Sequence, residues 1–122
     1  MTGPLREHGA LARGAFAVAV LVSFAVLFAP PSDVPSSPPG VDKLVHFGLF
    51  ALLALTGRWA GVGWRALAIG LAGYAGVSEL LQGTDLVDRD ASAADLLADC
   101  AGVAVALLLW HLVAERRARA RR

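Results

Sequence analysis

Ala93–Arg122 reads AADLLADCAGVAVALLLWHLVAERRARARR, and this stretch decides the fold. It opens with two aspartates, Asp95 and Asp99, continues as an unbroken apolar run to about Val113, and ends in five arginines. The run is close to the roughly 20 apolar residues needed to cross about 30 Å of hydrocarbon as a helix. An arginine cluster just beyond such a run anchors that end in the cytoplasm. The apolar residues are continuous and do not alternate, which excludes a spanning β-strand.

Working outward, three more stretches of this kind precede it. They run from about residues 14 to 29, 44 to 60 and 66 to 82, with the fourth at 93–113. The predicted fold class is therefore an all-α integral membrane protein, a single domain built as a bundle of four transmembrane helices. Assigning the ends and loops alternately to two sides places nine of the eleven Lys+Arg on one side and eight of the ten Asp+Glu on the other. Basic residues collect in cytoplasmic loops, so both termini are expected on the cytoplasmic side. Trp59, Trp64 and Trp110 all fall at the inner boundary, where indole rings favour the interface. Composition agrees. The 122 residues are 57% hydrophobic, with mean hydropathy +0.61, against about 45–50% apolar for a soluble domain.

The first stretch, after Arg6 and Arg13, has the layout of a secretory signal peptide. Cleavage after Ala29 would put the large Leu27 where a small residue is wanted, so it is expected to remain as a helix. Residues 30–40, PPSDVPSSPPG, hold five prolines and read as an extended outer loop. Arg58, Gly61, Gly63 and Arg65 mark a short inner turn. Ser92-Ala-Ala-Asp95 has the form of a capping box, with Ser92 as N-cap and Asp95 reaching back. Small residues recur every fourth position: Ala15, Ala19 and Ser23; Ala68, Ala72 and Gly76; Ala98, Gly102 and Ala106. Such ridges let helices approach closely in lipid.

Polar residues gather at the outer ends of the last three helices. Asp42, Lys43 and His46 open the second. Glu79 and Gln82 close the third. Arg89 lies in the outer loop, and Asp95 and Asp99 lie four apart on one face of the fourth. An ionisable group inside a membrane helix is costly and faces protein or water with a partner. Lys43 and Arg89 are the two cations available to the acids Glu79 and Asp99. The candidate binding residues are thus Lys43, His46, Glu79, Gln82, Arg89, Asp95 and Asp99. Asp42, Asp85, Asp88 and Asp90 read as solvated loop charges, and Asp95 also suits the positive end of a helix dipole.

The catalytic signal is weak. His46 with Glu79 or Asp99 has the makings of an acid–base pair, and His with carboxylates of a metal site. No His pair at helical spacing is present, nor a phosphate-cradling glycine loop, and Ser78 carries no mark of a nucleophile. No catalytic residue, metal ligand or cofactor is assigned. The single cysteine, Cys100, allows neither an intrachain disulfide nor a cysteine metal cluster.

The order of these pieces resembles the VanZ-like family of small integral membrane proteins. Asp42-Lys43-Leu-Val-His46-Phe47 comes first, then Glu79-Leu-Leu-Gln82, then Arg89, then Asp95-Leu-Leu-Ala-Asp99-Cys-Ala-Gly102. The resemblance covers roughly residues 41–109. The family commonly has Asn where this chain has Asp99, and the loop after Gln82 is short here. The family's named member lowers susceptibility to the glycopeptide teicoplanin. The resemblance implies a cell-envelope role in which the outer cluster binds a polar headgroup, a cell-wall precursor or an amphiphilic antibiotic. Two other readings stay open: a small intramembrane enzyme acting on a lipid-linked envelope substrate, and a structural or proton- and ion-handling subunit. The expected partners are membrane lipids, with no nucleic acid, and an oligomer is allowed.

Overall fold

The computed structural model describes residues 8–29, 40–84 and 92–122. These form four α-helices with no strand among them: α1 (Ala10–Leu27), α2 (Val41–Trp59), α3 (Trp64–Gln82) and α4 (Ala93–Ala120). The all-α expectation holds. Of the four, α1 and α4 are long and apolar enough to cross a membrane. Three boundaries differ from expectation by three residues or more. The first helix starts at Ala10 instead of near residue 14. The second helix starts at Val41, taking Asp42 and Lys43 into its first turn. The fourth continues through the arginine-rich tail to Ala120. That tail is rich in Ala and Arg, both strong helix formers, and its cations lie at the negative end of the helix dipole.

The helices run alternately up and down. His8 N–H donates to the Trp59 carbonyl at 2.9 Å, so α1 starts where α2 ends. The α2–α3 turn closes through Ala60 N–H to Thr56 O at 2.8 Å and Val62 N–H to Gly57 O at 2.9 Å. Gly61 sits there at φ +99, a conformation that glycine adopts without a Cβ penalty. Arg58 adds a bond from Nη1 to Val62 O at 2.9 Å, and its guanidinium lies 5.9 Å from the Trp110 ring centroid. Arg58 and Trp110 thus share one end of the bundle, as the charge sorting predicted.

The second helix is central. It packs on α1, α3 and most extensively α4. The α2–α4 approach depends on Gly102. A Cβ there would run into the Phe47 carbonyl and come within 3.2 Å of Ala51 N. The ridges on α1 and α4 do face inward: Ala19, Ser23, Gly102 and Ala106 are all buried. The ridge on α3 does not. Ala72 is exposed, and α3 instead buries Leu67, Leu71, Ala75, Ser78, Glu79 and Gln82. Small residues every fourth position are common in an alanine-rich helix, and the larger apolar side chains decide which face of α3 turns in.

The interior is layered. Phe50, Leu53, Ala54, Leu67, Leu71 and Val103 form an apolar core. Tyr74 caps it, with Phe24 edge-on and Phe50 tilted against its ring, both at 5.6 Å between centroids. The Tyr74 hydroxyl and Ser23 Oγ lie 2.8 Å apart, tying α3 to α1. Beyond this core the buried residues turn polar: His46, Ser78, Glu79, Gln82, Asp95 and Asp99. The outer surface is apolar instead, with Leu21, Leu44, Ile69, Leu80 and Leu97 each at least 66% exposed.

Candidate functional site

Helix direction brings the N-terminal turns of α2 and α4 to the C-terminal end of α3, and there the candidate residues meet. His46 is the hub. Its Nδ1 lies 2.7 Å from Asp99 Oδ1, and its Nε2 lies 3.8 Å from Asp95 Oδ2. The four-residue spacing of Asp95 and Asp99 puts both carboxylates on the α4 face that meets α2. His46 is 3% exposed and Asp99 0%, so their contact is shielded from solvent screening.

Lys43, one turn before His46, reaches the same acid. Its Nζ lies 3.0 Å from Asp95 Oδ1 and 3.0 Å from Asp42 Oδ2. Its side chain is 42% exposed, so a cation stands at the rim above a buried His–Asp pair. The hydrogen bond from Lys43 holds the Asp42 carboxyl below its ordinary range. Lys43 itself is raised, by its hydrogen bonds to Asp42 and then Asp95. Lys43 thus pairs with Asp95 and Asp42 and not with Glu79 or Asp99, the acids it was expected to serve. Glu79 and Asp99 find other partners.

Glu79 Oε2 accepts the backbone N–H of Ser92 at 2.6 Å. Ser92 Oγ in turn accepts from Asp95 N at 3.2 Å, the first half of the expected capping box. The second half differs. Asp95 does not reach back to Ser92; its carboxylate goes to Lys43 and His46, and Glu79 from another helix takes its place. The longer Glu79 side chain satisfies an N–H that the helix cannot.

Gln82 is engaged through its amide nitrogen. Its Nε2 donates to the Leu27 carbonyl at 2.7 Å, so it ties the end of α1 to the end of α3. Carbonyls in the last turn of a helix lack partners within it, which accounts for a buried amide there. Arg89 lies outside the described residues. The site as described is acid-rich: Asp42, Glu79, Asp95 and Asp99 against Lys43 and His46. Of its buried carboxylate oxygens, Glu79 Oε1 and Asp99 Oδ2 have neither a hydrogen-bond partner nor an ion pair among the described residues, whereas Asp95 Oδ1 has only the Lys43 ammonium at 3.0 Å.

Sequence reasoning missed two participants. The Ser92 backbone N–H is one, signalled by the capping box but not linked to Glu79. The Ser23–Tyr74 link is the other, and nothing in the spacing of a serine and a tyrosine 51 residues apart marks it. A groove lined by Arg58, Trp64, Leu107, Trp110 and His111 lies at the opposite end of the bundle and is walled mainly by apolar atoms. Comparison with protein-family models, curated proteins and solved structures gives no match.

Proposed function

We propose that this chain is a four-span, multi-pass protein of a bacterial inner membrane, similar to the VanZ-like family. On this reading it engages the polar headgroup of an amphiphile at its outer face. The amphiphile is an envelope lipid, a cell-wall precursor or a glycopeptide of the teicoplanin kind. The observation that carries the reading is the line from Lys43 at the rim through Asp95 and His46 to Asp99 in the interior. It gives an exposed cation a fixed position above buried groups able to accept and donate hydrogen bonds.

The membrane part is supported by two features. Nine of the eleven Lys+Arg sort to one side of the alternating arrangement. The bundle also presents leucine and isoleucine outward while burying His, Glu, Gln and Asp. Water penalises both halves of that pattern, and lipid favours both. On this topology residues 58–65 and both termini are cytoplasmic, and the acidic cluster faces outward.

The test is native mass spectrometry of the detergent-purified protein with its co-extracted lipids, beside Lys43→Ala and Arg89→Ala. The expected result is a defined envelope lipid on the parent protein that is lost from correctly inserted variants. The same lipids on all three would remove the headgroup reading.

A second reading is favoured by one contact. A buried imidazole 2.7 Å from a carboxylate is the arrangement of a general base with its orienting acid. An intramembrane enzyme acting on a lipid-linked substrate would show turnover lost in His46→Ala. Turnover unchanged in that variant would exclude it.

A further inference from the structure

Three helices each bring one donor to the interior end of the polar cluster: His46 from α2, Glu79 from α3 and Asp99 from α4. One ligand atom from each lies within 4.8 Å of the other two, and all three side chains are buried. We propose that these residues hold a divalent transition-metal ion of the zinc class. The proposal rests on these buried donors and stands whether or not the headgroup reading does.

Four observations converge on it. Glu79 is 5% and Asp99 0% exposed, yet Glu79 Oε1 and Asp99 Oδ2 lack a hydrogen-bond partner among the described residues. A buried carboxylate oxygen with no donor is expensive, and a cation removes that expense. Charge is the second. Two carboxylates and a neutral imidazole carry two negative charges, which a divalent ion balances, while Asp95 is already matched by Lys43 at 3.0 Å.

The third is the outer layer of contacts. Metal-bound histidines hand their other ring nitrogen to a carboxylate or carbonyl, which fixes tautomer and ring angle. Here Nδ1 faces Asp99 at 2.7 Å, and Nε2 points toward Asp95 Oδ2 at 3.8 Å, beyond hydrogen-bond reach, so the ring has to close on Asp95 as the ion binds. Glu79 is anchored the same way, with Oε2 on the Ser92 N–H at 2.6 Å and Oε1 left over. The fourth is donor chemistry. Imidazole selects zinc, iron, nickel or copper, whereas all-oxygen sites suit magnesium and calcium. Ligand bonds of about 2.0–2.2 Å place neighbouring donors about 3–4 Å apart, so closure needs side-chain shifts of under about 1 Å. Three protein ligands leave a fourth zinc position for water or for an anionic oxygen. Through that position an acid-rich cluster gains affinity for a phosphate or carboxylate headgroup.

The chain has three histidines and one cysteine. Untagged protein carrying His8→Ala, His111→Ala and Cys100→Ser therefore retains His46 as its one imidazole and has no thiol. This protein is titrated with zinc in detergent, with helix content followed by circular dichroism. The expected result is one bound equivalent, whose X-ray absorption spectrum contains one imidazole nitrogen and oxygen neighbours at about 2.0–2.2 Å. Glu79→Gln weakens binding by more than the roughly 10–100-fold that loss of an outer contact costs, and Asp95→Asn by about that amount. Glu115→Gln, exposed near the far end of α4, leaves it unchanged. No retained equivalent, a spectrum without imidazole, or equal affinity in folded Glu79→Gln would overturn the proposal. If Glu79→Gln does not fold, the spectrum of the parent decides. A negative result here leaves lipid retention by native mass spectrometry untouched, so the two readings fail separately.

Discussion

Glu79 Oε2 accepts the backbone N–H of Ser92 at 2.6 Å, so a carboxylate at the end of α3 completes the cap of α4. The contact fixes where α4 begins relative to α3, and with it the position of Asp95 and Asp99. Glu79→Leu strands the Ser92 N–H and is expected to cost about 1–3 kcal/mol. Glu79→Gln keeps an acceptor and is expected to cost less. Ser92→Ala removes the bond from Asp95 N and is expected to cost about 1 kcal/mol. Denaturant unfolding in detergent, followed by circular dichroism, ranks the three; Glu79→Gln as damaging as Glu79→Leu would refute the capping role.

Gly102 lets α2 and α4 touch backbone to backbone. A methyl group there collides with the Phe47 carbonyl, which cannot swing aside as a side chain does. Gly102→Ala is expected to destabilise by about 1–3 kcal/mol, the range for overpacking, and Gly102→Val by more. Since His46 and Asp99 sit on the two helices forced apart, zinc affinity or lipid retention should fall in parallel. Gly57 offers a contrast. Its Cβ would meet Leu67 Cδ2 at 2.6 Å, the end of a flexible side chain, so Gly57→Ala should be milder.

Gln82 is expected to act on α1 and not on the cluster. Replacing it with leucine removes the donor to Leu27 O and should cost about 1 kcal/mol. Amide exchange near residues 24–28 should quicken while that of α4 stays as it was. Quickened exchange in α4 alone would return Gln82 to the cluster.

Much of this arrangement was legible in the chain because helices impose a period. Asp95 and Asp99 four apart, and Lys43 and His46 three apart, had to share faces, and they do. The charge sorting gave the ends of the bundle. Side-chain length was harder to read. The capping-box pattern identifies Ser92 but not which acid returns the bond, because Glu79 arrives from another helix. Ligand spacing along one helix is likewise blind to a His–Glu–Asp set drawn from three. The α3 stripe misled because alanines recur in it by composition, while Leu67, Leu71 and Ala75 set its inner face.

The rim pair makes a pH prediction. Lys43 holds the Asp42 carboxyl below its ordinary 3.8. A depressed acid contributes stability above its unfolded value and loses it as pH falls through the folded one. The raised Lys43 contributes below its ordinary 10.5 and loses that contribution as pH rises through the folded value. Carbon-detected NMR of Asp42 should show its titration moving upward in Lys43→Ala. A titration that does not move would mean that the contact at 3.0 Å is not held in solution.

The topology makes the last prediction. Thr84 lies just past the C-terminal end of α3 and Gly63 just before its N-terminus, and both are exposed. In a Cys100→Ser background, Thr84→Cys should react with a membrane-impermeant maleimide added to intact cells from which any outer membrane has been stripped. On the proposed topology Arg58 and Arg65 keep that turn on the cytoplasmic side, so Gly63→Cys should react only after lysis. The reverse pattern would invert the protein and place His46, Glu79 and Asp99 at the inner face. Equal labelling before lysis would mean that α3 does not cross. Its own sequence makes that a severe test, for α3 is not among the helices that are long and apolar enough to cross alone. Glu79 and Gln82 lower its hydropathy, and their burial against α1, α2 and α4 is what would let it span with its neighbours.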